Sequence, residues 1–473
     1  MARVRKNVWK LKPTDKTLEW YERAVTAMKA RPIAEATSWR YQAAIHEYNR
    51  ATDPFRQSND VLPTAGERQK YWTQCQHGSW YFLSWHRMYL YHFETIVAAE
   101  VEKLGGPADW ALPYWNYSDD RDANARLLPT AFRSPKKNDG SDNALFVNTR
   151  TPDCNAGRQF ADDSDVAIAG PLREPDFVSL SFGTGFGGPQ TNFMHSGNLI
   201  GSLELTPHGN MHMAVAGLMQ SFSTAALDPI FWLHHANIDR LWQVWLDRDA
   251  SHANPTSTWG TKVKFAFRNA AGKAVTMSSQ QVEKTSNAPL FYTYDDTSDP
   301  LAKTKLGTVA TVGGVKKKTT VQQMVGATKK SFMLDQREVN ASLIAKPEVG
   351  ARAATKATAA RESRRIFLNI EKIVSQEPAP SYDVYLNVPE GQDPRKHPQL
   401  FIGRLPMFGL LEASRKATSA GRGLHYAFDV THLYAHMSTL PGWNPTQLRV
   451  SFVPARGKAP AKVTVGRVSL YTA

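Results

Sequence analysis

Two histidines, His77 and His86, lie within a strongly aromatic stretch, CQHGSWYFLSWHRMY (residues 75–89). A buried imidazole needs partners for both of its ring nitrogens. One interpretation is that both are core histidines, hydrogen-bonded to backbone carbonyls. The other is a metal site, but two imidazoles alone make a weak site. The choice depends on whether the rest of the chain supplies further ligands.

Four more histidines extend this pair to two groups of three. His46 precedes the pair, and His208, His212 and His235 form a second group. His208 and His212 are four residues apart, so on a helix they share one face and can hold one ion. Any single buried histidine is more often simply hydrogen-bonded. Six nitrogen donors without a carboxylate cluster favour copper or zinc, and they exceed the four ligands of a single zinc ion, which indicates two metal ions.

Helices are predicted to position these histidines. Apolar residues recur at intervals of three and four, and Asp228 followed by Pro229 is typical of a helix start. Helices of a bundle can direct imidazoles at a common centre. We therefore predict a mainly α protein with a four-helix bundle that holds the metal. The four predicted helices span residues 32–50, 84–106, 206–220 and 228–248.

The C-terminal part has a different pattern. Short β-like runs with Pro and Gly between them predict a β-sandwich-like domain. The predicted domains are a catalytic domain (1–300), a connecting segment rich in Lys, Thr, Ala and Gly (301–364) and a β-rich domain (365–473). The predicted strands lie within residues 365–374, 381–391, 399–408, 424–434, 447–457 and 462–472.

Composition narrows the possible partners and location. The 473 residues carry a net charge of +14, but the basic residues are dispersed or lie in predicted loops (134–140, 313–320 and 354–365). We find no nucleic-acid recognition motif, so we expect a solvated surface and no nucleic-acid partner. No apolar run approaches the roughly 18 residues of a membrane helix. The basic start lacks the apolar region of a signal peptide, and two cysteines cannot form a disulfide framework, so we expect a cytoplasmic protein.

Four motifs, in this order and spacing, resemble the type 3 dicopper proteins, the group of tyrosinases, catechol oxidases and haemocyanins. FYTYDD (291–296) resembles the tyrosine motif that closes the catalytic domain of that family. YDVYLNV, AFDVT and VSFVPARG resemble the C-terminal domain of plant-type polyphenol oxidases. The four motifs, within about residues 38–248, are QAAIHEYN, CQHGSWYFLSWHRMYLYHFE, LELTPHGNMH and DPIFWLHHANIDRLW.

The resemblance implies two copper ions and assigns their ligands. The family motif places its ligand at the second histidine of LHHAN, which leaves His234 beside the metal ligands. Cys75, two residues before His77, matches the cysteine that forms a thioether to this histidine in relatives; the alternative is a buried free thiol. Cys154 is interpreted as a loop thiol. The implied ligands are His46, His77 and His86 for the first copper and His208, His212 and His235 for the second.

The resemblance also implies residues that act on substrate. Glu204 matches a glutamate that orders a water able to take the phenol proton; a helix N-terminal carboxylate is the alternative. Gly209 stands where efficient monophenol hydroxylases of the family have Asn, and Asn210 follows one position later. Phe222 matches a gate above the second copper, or is a core aromatic. Met213 resembles a residue that shapes the substrate entrance.

Two structural roles are predicted beside these. Asp239, four residues after His235, either orients a ligand imidazole or pairs with a nearby arginine. Arg40 with Tyr292 or Tyr294 is predicted to lock the ends of the catalytic domain together.

The implied activity is that of a tyrosinase, with phenols and O2 as partners. A monophenol would be hydroxylated at the ortho carbon, and an o-diphenol oxidised to the o-quinone. The alternatives are a catechol oxidase without hydroxylation and a haemocyanin-like oxygen carrier, although the C-terminal part argues against a carrier. That part covers the copper site in plant and fungal relatives. Here it is expected to cause latency, to act as a lid, or to form homo-oligomers through strand edges.

Overall fold

A computed structural model describes residues 2–256, 258–302, 322–346, 365–420, 423–440, 443–455 and 462–473. Helices dominate the N-terminal unit, which we define as the described residues up to 302. Its short strands pair as β1 with β4, parallel, and β2 with β3, antiparallel. They are β1 (Arg3–Arg5), β2 (Lys264–Arg268), β3 (Ala274–Ser278) and β4 (Tyr292–Tyr294). The helices are α1 (Thr17–Lys29), α2 (Trp39–His46), α3 (Ala65–Tyr71), α4 (Phe82–Lys103), α5 (Pro152–Asn155), α6 (Ala169–Leu172), α7 (Asn210–Val215), α8 (Phe222–Ala225), α9 (Ile230–Arg248) and α10 (Thr258–Thr261).

The helices that carry histidines begin where local capping allows. Helix α2 begins at Trp39, later than predicted, because the Ser38 hydroxyl accepts a hydrogen bond from the amide of Tyr41 and caps the helix there. Helices α4 and α9 lie close to their predicted positions. The Asp228 carboxylate accepts the amide of Ile230 at 3.1 Å, as expected for a residue at a helix start.

The third predicted helix is shorter and is preceded by an irregular turn. Glu204–Gly209 forms a π-type turn in which Thr206 has an extended backbone (φ −138°, ψ 125°). Regular helix α7 follows and ends at Val215, and the next residue, Ala216, has a φ of +64°. Within this turn, His208 Nδ1 lies 3.0 Å from the Glu204 carbonyl oxygen.

The C-terminal unit, the described residues from 322 onward, contains a large antiparallel sheet. Nine strands of the described chain belong to it, in the order β10-β9-β12-β7-β5-β13-β8-β11, with β6 also paired to β13. The strands are β5 (Gln323–Ala327), β6 (Phe332–Leu334), β7 (Val339–Ala345), β8 (Ile366–Val374), β9 (Tyr382–Leu386), β10 (Phe401–Leu405), β11 (Leu424–Asp429), β12 (Gln447–Pro454) and β13 (Val463–Thr472), and the helices are α11 (Leu410–Ala420) and α12 (Thr431–Met437).

Hydrogen bonds link the nine strands into one sheet, because β13 pairs with β8 along one edge and with β5 and β6 along the other. The sandwich-like packing of this sheet stays a prediction. The sheet corrects two expectations. The chain combines helices with a large sheet and is not mainly α. The segment 301–364, expected to be connecting structure, contributes β5, β6 and β7. Its basic stretch 313–320 and residues 354–364 lie outside the described residues, and the bundle packing of the four helices stays a prediction.

Each unit has its own hydrophobic core, and backbone pairing joins them. Leu199 of the N-terminal unit forms a parallel bridge with His425 of β11. Across it, the His425 amide donates to the Asn198 carbonyl at 2.7 Å and the Ile200 amide donates to the His425 carbonyl at 3.3 Å. One C-terminal residue, Phe408, packs in the core of the N-terminal unit. None of the described helices is long and apolar enough to span a membrane.

A buried charge network fixes the N-terminus against helices α4 and α9. The Asp239 carboxylate accepts hydrogen bonds from Arg87 at 2.5 Å and from Tyr292 at 2.6 Å. Arg5 of β1 bonds Asp239, Tyr294 and Glu94. Asp239 therefore pairs with arginine, the second of its two predicted roles.

The predicted role of Arg40 is wrong. Its guanidinium binds Asp53 and Asp60, both in the loop that follows α2, at 2.6 Å each. The arginine that joins the ends of the N-terminal unit is Arg5, which reaches the tyrosine strand β4 through Tyr294 at 3.0 Å.

Candidate metal centre

The first group of histidines comes from two helices and the loop between them. His46 ends α2, His77 lies in the loop before α4, and His86 lies in the first turns of α4. Their ring centroids are 5.2 Å (His46–His77), 5.2 Å (His77–His86) and 5.7 Å (His46–His86) apart. Their ligand atoms converge closely enough to hold one metal ion.

The second group contains four imidazoles. His208 and His212 have ring centroids 4.6 Å apart, as their spacing predicts. His235 and His234, both on α9, lie 5.0 Å and 5.4 Å from the His208 ring. All four could contribute to one ion. His235 also stacks on His86 at 4.4 Å with an interplanar angle of 8°, so it lies where the two groups meet.

Backbone carbonyls hold four of these imidazoles by one nitrogen. The Nδ1–H groups donate to carbonyls, and the Nε2 atoms are buried with no hydrogen-bond partner among the described residues. A metal-binding histidine characteristically uses its second nitrogen in this way, because the hydrogen bond fixes the tautomer and aims the free lone pair. The pairs are His46 with Phe222 at 2.8 Å, His86 with Phe82 at 2.8 Å, His208 with Glu204 at 3.0 Å and His212 with Met219 at 2.7 Å.

The remaining three imidazoles differ in how they are held. His77 and His235 have no partner for either nitrogen in the described part of the chain. His234 Nδ1 lies 3.0 Å from the Tyr117 hydroxyl. Unpaired buried nitrogens are costly, so a set of them converging on two points fits a pair of metal ions well.

The environment keeps these imidazoles neutral. Burial lowers the pKa of His46 and His208 to about 3. Burial, with the neighbouring imidazoles, lowers the pKa of His77, His86 and His235 well below the usual value. Neutral imidazole is the form that binds metal.

Glu204 lies beside the histidines, as predicted. Both carboxylate oxygens are 3.0 Å from the amide of Gly78, next to His77. Burial raises the pKa of Glu204 to about 8, and hydrogen bonds from the amides of Gly78 and Gly201 oppose this rise. A carboxyl with a raised pKa is suited to exchanging a proton with a weak acid.

Four other predicted substrate residues lie at different places. Gly209 and Phe222 line the cavity above the histidines, and the Phe222 ring stacks on His77 at 4.0 Å. Met213 is half-buried between the two cores. The side-chain amide of Asn210 donates to the Ser164 carbonyl and to the Thr206 hydroxyl. Asn210 is not among the described residues that line the cavity. It therefore does not take the place of an asparagine at position 209.

The C-terminal unit closes this cavity. The Phe408 ring stacks on the His212 ring, with centroids 3.9 Å apart and an angle of 14°. It also contacts the Phe222 ring at 4.7 Å. The free volume that remains is about 20 Å³, enough for about one water molecule. The C-terminal residues that line it are Pro406, Phe408, Leu424 and Tyr426.

A second polar cluster lies behind the first group. Cys75 Sγ is 3.3 Å from His195 Nδ1, and His195 Nε2 is 3.2 Å from a Glu47 oxygen. Burial and the charge of Glu47 raise the pKa of Glu412, on α11 of the C-terminal unit, to about 7, whereas Arg415 and His195 oppose the rise. The thioether between Cys75 and His77 stays a prediction.

The motifs did not reveal Phe408, Pro406, Tyr426 or His195. Phe408 ends the run QLFIGRLPMF, which predicts only a strand. The LPMFG turn after β10 is the feature that could have suggested a projecting apolar tip.

Two adjacent, buried groups of imidazoles with Nε2 atoms free of hydrogen bonds among the described residues could hold a pair of metal ions. Comparison with known proteins specifies the family. The family model "Common central domain of tyrosinase" matches residues 36–248, and a model for a domain of unknown function matches residues 321–473. Tyrosinase HcTyr1 of Hahella sp. (strain CCB-MM4) is 34% identical, over 99% of both chains. The latent form of polyphenol oxidase from Prunus armeniaca is 25% identical, over 96% of this chain and 73% of its own.

The fold agrees with this. The structure of latent apple tyrosinase has a TM-score of 0.65 at 20% identity, covering 100% of this chain and 97% of that chain. The chain belongs to the tyrosinase family, whose members include the plant polyphenol oxidases, and it is a copper-dependent oxidoreductase. The family implies a dicopper centre.

Proposed function

We propose that this protein is a tyrosinase, which hydroxylates monophenols at the ortho carbon and oxidises o-diphenols to o-quinones with O2. The observation that carries the proposal is the set of buried Nε2 atoms, free of hydrogen bonds among the described residues, that converge in two groups. The family membership makes copper the metal that this donor set takes.

In this proposal His46, His77 and His86 hold one copper ion. His208, His212 and His235 hold the other. We assign His235 and not His234 because His235 lies between the two groups, stacked on His86, whereas His234 is held by Tyr117. When bound, the copper ions supply oxygen activation and accept electrons from the phenol.

The chain's own residues position the substrate and move its proton. Phe222, stacked on His77, provides an aromatic surface for a phenol ring. Phenols have a pKa near 10 and must lose a proton to bind metal. Glu204, beside His77 and His208, is the group that takes it, directly or through the water for which the cavity has room.

A catechol oxidase is the second candidate, and Gly209 favours it. Position 209 carries no side chain that could help Glu204 to fix a water, and Asn210 is turned away toward Ser164. Diphenol oxidation needs less help with the proton than monophenol hydroxylation does.

We also propose that the C-terminal unit keeps the enzyme latent. Phe408 stacks on His212 in the space that a substrate ring would use. Truncation by Phe408→Ala is therefore expected to raise the diphenol oxidation rate of the full chain. Phe332→Ala, a change on β6 in the same sheet, serves as the control.

The test combines metal analysis with activity. The reconstituted full chain, activated by limited proteolysis, should hold two copper ions and form quinone from 4-methylcatechol and from tyrosine. Quinone from 4-methylcatechol alone would support the catechol oxidase, and reversible oxygen binding without quinone would support a carrier. The variant His86→Ala should lose quinone formation, whereas the exposed His432→Gln should not. Activity retained by His86→Ala would contradict the proposal.

The thioether is a further proposal. A Cys75–His77 bond forms by a two-electron oxidation, with O2 as the oxidant, in which the Cys75 S–H bond and one His77 ring C–H bond are broken and a C–S bond is made. The peptide that contains both residues would therefore be about 2 Da lighter than its sequence mass in the copper-reconstituted protein exposed to O2. Cys75→Ser should restore the unmodified mass. A cytoplasmic location and self-association likewise stay predictions.

A further inference from the structure

Gly209 has a backbone that any residue can adopt. Its φ of −61° and ψ of −37° are those of an ordinary helix, so the conformation does not require glycine. The lack of room for a side chain at this position does require it. A Cβ at 209 would lie 2.9 Å from Cγ and 3.2 Å from Cβ of Pro406, and 3.3 Å from the Glu204 carbonyl oxygen. The closest obstacle is therefore the other unit of the protein.

Pro406 cannot yield locally, because residues 406–409, the covering segment, are fixed on both sides. The Tyr426 hydroxyl donates to the Pro406 carbonyl, and the preceding residue, Leu405, pairs with Tyr382 in the sheet. Gly409 has a φ of +77°, and a Cβ there would lie 2.6 Å from the Phe222 ring. A displaced Pro406 must move Phe408 with it.

We propose that Gly209 is the docking position of the covering segment. Because residue 209 has no side chain, Pro406 can pack against it, and a side chain there would displace Phe408 from His212. The inference deepens the proposed function, since the site that would open is the one proposed to oxidise phenols. It gives position 209 two roles, because the residue next to His208 then determines both substrate handling and access.

The effect of a side chain at position 209 on closure should therefore depend on the residue at position 406. The two closest atoms to an added Cβ at 209 belong to Pro406, and the nearest atom of the N-terminal unit is the Glu204 carbonyl oxygen at 3.3 Å, so most of the obstruction comes from the C-terminal unit. With the unit in place, overpacking against a rigid proline favours the open form. Pro406→Ala removes the nearest atom and should restore the fit.

The experiment uses the full chain with four variants: Gly209→Ala, Pro406→Ala, the double variant, and Gly66→Ala as control. Gly66 lies in α3, where an added Cβ meets nothing within 4 Å. Hydrogen exchange is followed at the amides of His425 and Ile200, which bond across the two units. We expect Gly209→Ala to speed this exchange about fivefold or more, and to raise diphenol oxidation before proteolysis by a similar factor. The double variant should return most of the way toward Pro406→Ala.

Two outcomes would overturn the inference. One is wild-type exchange in Gly209→Ala; the other is an equal acceleration whether residue 406 is proline or alanine. Exchange needs neither copper nor turnover. If the effect of Gly209→Ala on exchange depends on residue 406 but no quinone forms, the proposed function is contradicted, whereas the docking of Pro406 on Gly209 is still supported.

Discussion

Arg404 offers a direct way to loosen the C-terminal unit without touching the metal centre. It lies on β10, four residues before Phe408, and its side chain is 4% exposed. Its guanidinium binds Asp383 of the same sheet at 2.7 Å. It also binds Asp165 at 2.6 Å and Asp162 at 3.0 Å, both in the N-terminal unit. Burial opposes its charge, but these three carboxylates raise its pKa further above the usual value.

The magnitude follows from which contacts opening would break. Arg404→Met removes the contact to Asp383 in both the open and the closed form, so that contact cancels. Asp162 is 43% exposed and contributes little, whereas Asp165 is 4% exposed. Removing one partner of a buried pair costs about 3–5 kcal/mol, and we take about 2–3 kcal/mol for the part that depends on closure. This corresponds to an increase of about 30- to 150-fold in the ratio of open to closed protein.

The assay compares o-diphenol oxidation by the full chain before and after limited trypsin treatment. Arg404→Met should raise the untreated rate by up to that factor, with the fully open rate as the ceiling, and leave the treated rate unchanged. Arg449→Met is the control, because Arg449 pairs with Glu390 within the C-terminal unit. Asp165→Asn tests the same contact from the other side. An untreated rate like that of the wild type in both variants, with normal thermal unfolding, would refute the reasoning.

Three further predictions concern the site and its pH dependence. His235→Ala should reduce bound copper to about one ion per chain and abolish quinone formation, whereas His234→Ala should keep two ions; equal copper loss in both would contradict the assignment. Glu204→Gln should lower monophenol hydroxylation about a hundredfold and diphenol oxidation much less, and equal losses would exclude a role in proton transfer. Burial and then Glu47 raise the pKa of Glu412 to about 7. Glu47 belongs to the N-terminal unit, so opening removes its share of the rise, and the closed form binds more protons than the open form. The contribution of Glu412 to closure should therefore be fully present at low pH and be lost as pH rises through about 7, as measured by amide exchange between the units after correction for the intrinsic pH dependence of exchange. Glu412→Gln should flatten that profile, and an unchanged profile would rule Glu412 out.

The sequence predicts the histidines well because their chemistry depends on local spacing. His208 and His212 are one helical turn apart, and the aromatic run around His86 marks a buried helix. Likewise, the short β-like runs with Pro and Gly between them locate six strands of the C-terminal part. These features need only neighbours along the chain.

Contacts between distant parts of the chain could not be predicted in the same way. Phe408 lies 196 residues after His212 (408 − 212), and its sequence context is that of an ordinary strand end. Asn210 stands next to a critical position, yet its side-chain amide donates to the Ser164 carbonyl, 46 residues earlier in the chain, and to the Thr206 hydroxyl. Register and packing decide both cases.

The choice of side chain at the tip of the covering segment has a chemical reason. A phenol held against the metal centre of a phenol oxidase would itself be a substrate, whereas the Phe408 ring fills the same aromatic space without an oxygen to bind metal. Tyr426 of the same unit also lines the cavity, but its hydroxyl is committed to the Pro406 carbonyl, and burial and nearby Glu204 raise its pKa further. The Tyr426 hydroxyl thus stays protonated and hydrogen-bonded. The C-terminal unit can block the proposed site closely because the Phe408 ring, which contacts the histidines, has no hydroxyl, and because the hydroxyl of Tyr426 is held by Pro406.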